Sequence, residues 1–135
     1  MEKRNIQQGS YTQTPQEFGH LFETKGFTVL DLNGEKIGKV DDLYVGGDRQ
    51  PRYLGVTMGF FGAKMTFIPV QLLKQVDVSS KSIVLSIPKD VAKSSPVFDR
   101  DHAFGPEDEA LIWKHYGLGQ PVYVTTEIYL WREAS

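Results

Sequence analysis

Between residues 27 and 69 short runs of β-forming residues alternate with glycine-bearing turns, and this punctuation constrains the fold more than any other feature of the chain. The runs are cut apart by Asn33-Gly34, by Gly46-Gly47-Asp48 and by the turn from Gly59 to Gly62. Asn-Gly tolerates φ > 0 at both positions and is the strongest short hairpin signal, so the first two runs are expected to be antiparallel neighbours. The later turns extend this to a meander in which each strand pairs with the next. A sheet of that kind has two unpaired edges and tends to curl closed.

The second run breaks its alternation. Gly38, Val40, Asp42 and Tyr44 share one face while Ile37, Lys39, Asp41, Leu43 and Val45 share the other, so the apolar residues change face near Asp41 and Asp42. A β-bulge there restores one inner face and adds the bend a small barrel needs. The third run sets Leu54, Val56 and Met58 against Tyr53 and Thr57, which predicts core on one side only. A fourth run ends at Pro69, which lacks the N–H a ladder needs. Two more, at 76–78 and 83–87, are joined by Ser79-Ser80-Lys81 and bring the count to about six antiparallel strands. Side chains fill a barrel so small, leaving little room for a ligand inside.

Residues 1–20 are rich in Gln, Ser, Thr and Pro and are expected to form a mobile tail. Phe18, Leu21 and Phe22 follow at helical spacing, suited to packing over one mouth of the sheet. The barrel is expected over 21–98, with a helix and tail over 99–135 packed on it or on a second copy. The helix signal is strong in GPEDEALIWKHYG, residues 105–117: proline at the first helical position, acids in the first turn, Lys114 and His115 in the last, glycine as stop. Leu111, Ile112, His115 and Tyr116 form the stripe expected to pack, with Leu118 as the capping contact and Trp113 partly exposed. The segment after Pro121, VYVTTEIYLWREAS, is β-prone and should add a strand to its own barrel or to a second copy's.

The chain has 135 residues and no cysteine, so disulfides, thiolate metal sites and a cysteine nucleophile are excluded. The formal charge of −2 and the absence of a basic run argue against direct nucleic-acid binding. No apolar run approaches the length of a membrane helix and the amino terminus has no secretory h-region, so the chain reads as cytoplasmic.

Motifs for chemistry are sparse. No Ser/His/Asp order, phosphate loop or HExxH helix occurs, and the chain is expected to be non-enzymatic, with no cofactor. His102 stands among Asp99, Asp101, Glu107, Asp108 and Glu109, but those acids are what a helix start requires, so His102 is read as a surface partner. Asp31, Glu35, Asp41, Asp42 and Asp48 are the candidates for a hard-cation site, although DLNGEK lacks the alternation of a calcium loop. The turn at Phe60-Phe61 is unusual, because two adjacent phenylalanines between glycines cannot easily both point inward, so at least one is expected to be exposed or covered, by the amino-terminal segment, by the carboxy-terminal tail or by a partner. Phe60 and Phe61, with Trp113, Tyr129 and Trp131, are the candidate interaction surface.

Three phrases in this order, VLDLNGEKIGKV at 29–40, GFFG at 59–62 and FIPVQL at 67–72, resemble the PRC-barrel domains, a family named for the cytoplasmic part of a photosynthetic reaction centre protein. The resemblance covers about 22–98 and implies a mainly β fold: a small PRC-type barrel with a C-terminal helix and a β-prone tail. It implies an adaptor, since the barrel of the reaction centre protein caps a membrane complex and the one in the ribosome maturation factor RimM accompanies a second domain. This chain lacks the membrane helix of the first and the second globular domain of the other, so neither pathway carries over. Two functions follow: a protein-interaction module that forms homodimers, or a regulator binding a small ligand or cation at Asp41 and Asp42 or at a mouth near Tyr44 and Tyr53.

Overall fold

The structure is a computed structural model and describes residues 21–59, 64–99, 101–120 and 128–131. The expected amino-terminal tail, Phe18 and the Phe60-Phe61 turn lie outside the described residues.

The first hairpin joins β1 (Thr28–Leu30) to β2 (Lys36–Gly46) in antiparallel register, with Val29 opposite Gly38. Its loop is longer than a two-residue Asn-Gly turn. Gly34 alone takes a positive φ, and the loop from residue 31 to 35 is organised by Asp31, whose Oδ1 accepts the N–H groups of Asn33 and Glu35, each at 2.8 Å. The short polar side chain thus substitutes for the second left-handed residue of a tight turn. Its Oδ2 accepts the N–H of Lys89 at 2.9 Å, tying the hairpin to the first turn of a short helix, α1 (Lys89–Lys93).

β3 (Pro51–Thr57) and β4 (Lys64–Pro69) continue the antiparallel meander. Between β2 and β3 the register steps from Val40↔Val56 to Asp42↔Gly55, leaving Asp41 as the extra residue of the expected bulge. The extra residue lets Val40 and Leu43, an odd spacing apart, enter the same core.

After β4 the pairing departs from a simple meander. A 3-10 turn (Val70–Leu72) carries the chain to β5 (Leu73–Asp77), which pairs with β6 (Ser82–Leu85). β6 then runs parallel to β1, with Val29 opposite Ile83, so this pairing is not antiparallel. A two-residue strand, β7 (Phe98–Asp99), adds to β4, and β8 (Ile128–Leu130) adds to the second half of β2, on the edge whose first half takes β1. Residues 128–131 are therefore seated on the chain's own barrel. The path β5-β6-β1-β2-β3-β4-β7 curls but does not close, since β5 and β7 remain its two ends among the described residues.

Both faces of β3 and β4 are buried, where the sequence pattern predicts core on one. Leu54, Val56 and Ile68 join Val29, Ile83 and Leu85 in the inner core. Tyr53, Met65 and Phe67 face the other way into a second, aromatic core with Tyr44, Ile112 and Trp113. That outer face is covered by α2 (Pro106–His115) and by Phe98 and Phe104, whose rings lie 5.2 and 4.4 Å from that of Phe67. Burying a side chain the size of Phe67 contributes about 1.5–3 kcal/mol, so the outer layer is a substantial part of the fold.

Candidate functional site

α2 begins and ends as its sequence predicts. Pro106 occupies the first helical position, and Asp108 Oδ2 accepts the Gly105 N–H at 2.9 Å. His102 Nε2 lies 2.9 Å from the same carboxylate oxygen, so His102 is the surface partner of a helix start. At the other end Gly117 has a positive φ, its N–H reaches the Lys114 carbonyl, and the Leu118 N–H reaches that of Trp113 at 2.9 Å. This is a Schellman closure, and Leu118 packs beside it as the capping contact.

The buried face of α2 differs from the stripe read in the sequence. Glu109, Ile112 and Trp113 are buried, whereas Leu111 is 54% exposed. Trp113, expected at a partly exposed flank and placed in the candidate interaction surface, retains 5% of its surface and belongs to the aromatic core. The reason is a hydrogen-bonded relay the sequence does not announce. Trp113 Nε1–H donates to Tyr53 Oη at 2.9 Å, and Tyr53 O–H donates to Glu109 Oε2 at 2.5 Å. Burial pushes the Glu109 carboxyl above its ordinary range, and the Tyr53 hydroxyl and Arg52 guanidinium oppose that rise. Buried carboxylates need such donors, and here they come from β3.

Tyr44 and Tyr53, read as the mouth of a ligand site, both lie in the aromatic core, so no mouth is formed there. The candidate acids are likewise dispersed. Asp31 is buried and serves as the turn hub; burial alone would raise its carboxyl, but the N–H groups of Glu35, Lys89 and Asn33 and the charge of Lys89 hold it below the ordinary range. Asp48 lies 3.4 Å from Arg52. Among the described residues no group of three or more His, Asp or Glu is placed to hold a metal ion.

Asp42 is different. The bulge turns it into a cleft walled by Leu21, Phe22, Val40, Leu43 and Trp131, with Lys25 at the rim. Burial, and then the charge of neighbouring Asp41, raise its carboxyl above the ordinary range, partly offset by Lys25 at 3.6 Å. Trp131 is held by its backbone N–H, which donates to the Leu43 carbonyl at 2.8 Å, and by an edge-to-face contact of its ring with Phe22 at 4.6 Å. Of the other candidate surface residues, Tyr129 is half exposed on β8, and Phe60 and Phe61 lie outside the described residues.

Comparison with curated proteins gives no match. Among solved structures the chain is similar to RimM of Pseudomonas aeruginosa, named as a 16S ribosomal RNA processing protein, at 18% identity and a TM-score of 0.41. The similarity covers 58% of this chain and 48% of that one, so the chain spans about half of the RimM structure. The family model of the PRC-barrel domain matches residues 20–92, more than half of the sequence. By this match the chain belongs to the PRC-barrel domain family.

Proposed function

We propose that this chain is a non-enzymatic, cytoplasmic protein-interaction module, an adaptor of the PRC-barrel type that also self-associates. The observation supporting it is that β3 and β4 are packed on both faces by the chain's own side chains. Recognition then falls to surface residues such as the half-exposed Tyr129, with Phe60 and Phe61 as candidates from the sequence. A net charge of −2 points to protein rather than nucleic acid as the partner. Light scattering over a concentration series tests self-association: a dimer mass at micromolar protein is expected, and a monomer at every practical concentration contradicts it.

A second reading, a regulator that binds a small ligand or cation, is favoured by the Asp42 cleft. Thermal shift against metals and metabolites separates the two, because a specific ligand of the folded state raises Tm by mass action.

A further inference from the structure

We infer that the cleft between Asp42 and Trp131 seats an arginine side chain presented by a partner protein; this rests on the adaptor reading and names the chemistry of its partner. The cleft's volume is about 180 Å³. Pockets for whole metabolites run from about 300 Å³ upward, so this one fits a single long side chain.

Its chemistry is divided in the way such a side chain is. Leu21, Val40 and Leu43 offer carbon to an alkyl stem, Phe22 and Trp131 offer aromatic surface, and Asp42 offers a carboxylate to the charged end. A hard metal ion wants six or more oxygens, and of the side chains lining the cleft only Asp42 and Thr24, whose hydroxyl already donates to the Leu21 carbonyl, carry any. Guanidinium is weakly hydrated, stacks on aromatic rings and pairs with a carboxylate through two parallel N–H donors. Trp131 already stands near one such group: Arg49 Cζ lies 6.0 Å from its ring centroid, and Arg49 is not among the residues that wall the cleft.

The cation now beside Asp42 is a weak competitor. Lys25 Nζ reaches Oδ1 at 3.6 Å with 75% of its side chain exposed. Solvated pairs of this kind contribute little, being screened and holding two long side chains at an entropic cost. The Asp41 charge next along the bulge makes a second cation more favourable still.

The test is an NMR titration of the full ¹⁵N-labelled chain with a blocked Gly-Arg-Gly peptide, its citrulline analogue and, separately, magnesium chloride. The arginine peptide is expected to shift the Trp131 indole and the Asp42 and Leu43 amides saturably, leaving the buried Trp113 indole unmoved. Citrulline, neutral and nearly isosteric, should bind at least about tenfold more weakly, and Asp42→Asn should lose about as much while keeping the wild-type amide fingerprint. Absence of saturable shifts, equal binding of citrulline, or unchanged binding by Asp42→Asn overturns the inference, as does saturation of the same signals by magnesium alone. The adaptor reading fails separately. A partner protein held equally by wild type and Asp42→Asn overturns the arginine seat and leaves the adaptor standing. Arginine-peptide binding by a chain that takes no protein partner supports the seat's chemistry and removes the adaptor.

Discussion

The hydroxyl of Tyr53 donates to Oε2 of Glu109 at 2.5 Å across 56 positions of sequence, joining the third strand of the barrel to the helix that covers it. Both groups are buried, and the same hydroxyl accepts the indole N–H of Trp113. One oxygen thus completes two polar groups of α2, which is why a helix carrying a carboxylate on its inner face packs on an aromatic sheet at all.

Removing that oxygen should cost more than removing the charge it serves. Tyr53→Phe takes the donor from Glu109 and the acceptor from Trp113, and a loss of about 2–4 kcal/mol in urea unfolding is expected. Glu109→Gln keeps an acceptor for Tyr53 and is expected to change stability by under about 1 kcal/mol at pH 7. Equal losses for the two would show that the hydroxyl is not the centre of the relay.

The pH dependence has a definite sign. The folded carboxyl of Glu109 lies above its ordinary 4.5, so its contribution is full below 4.5 and is lost as pH rises through the raised folded value. Asp31 is opposite: its folded carboxyl lies below 3.8, so its contribution is present above 3.8 and is lost as pH falls through the lowered value. Melting temperatures between pH 3 and 8 should therefore fall less on the alkaline side for Glu109→Gln and less on the acid side for Asp31→Asn, each compared with wild type.

The Asp41 bulge was legible because it repairs a visible break in alternation, and the ends of α2 were legible because proline, acids and glycine act locally. The buried face of α2 was not. Glu109, Ile112, Trp113 and Tyr116 follow helical spacing, but a carboxylate at the first position hides the stripe and lends Leu111 a prominence it does not have in space. Nor could alternation in β3 reveal its second core, since Tyr53 reads equally well as a solvent-facing strand residue until a helix is placed over it. The parallel β1–β6 pair depends on a return path that turn signals do not encode.

Gly38 is required by close approach rather than by φ. A Cβ there would drive into the Thr57 carbonyl oxygen, with the Thr57 carbonyl carbon at 3.1 Å, and neither is the end of a flexible side chain. Gly38→Ala is expected to lose about 1–3 kcal/mol or fail to fold, read by circular dichroism melting. A neutral result would mean that β2 and β3 are not in this register.

The seating of the carboxy-terminal segment is tested through Phe22 and Trp131. A double-mutant cycle with alanine at each should give a coupling of about 0.5–1.5 kcal/mol, as for aromatic pairs in edge-to-face contact. Additive losses would place Trp131 elsewhere, on a second copy included.

Whether this barrel works through its surface on a protein partner is decided by affinity capture with mild crosslinking from the source organism. Wild type is compared with the Phe60→Ser/Phe61→Ser double variant, whose melting is checked first. The expected outcome is a partner, a second copy included, that is held by wild type and lost by the folded variant. Recovery of no protein partner by either form, together with a metabolite or metal that raises Tm, would contradict the adaptor reading.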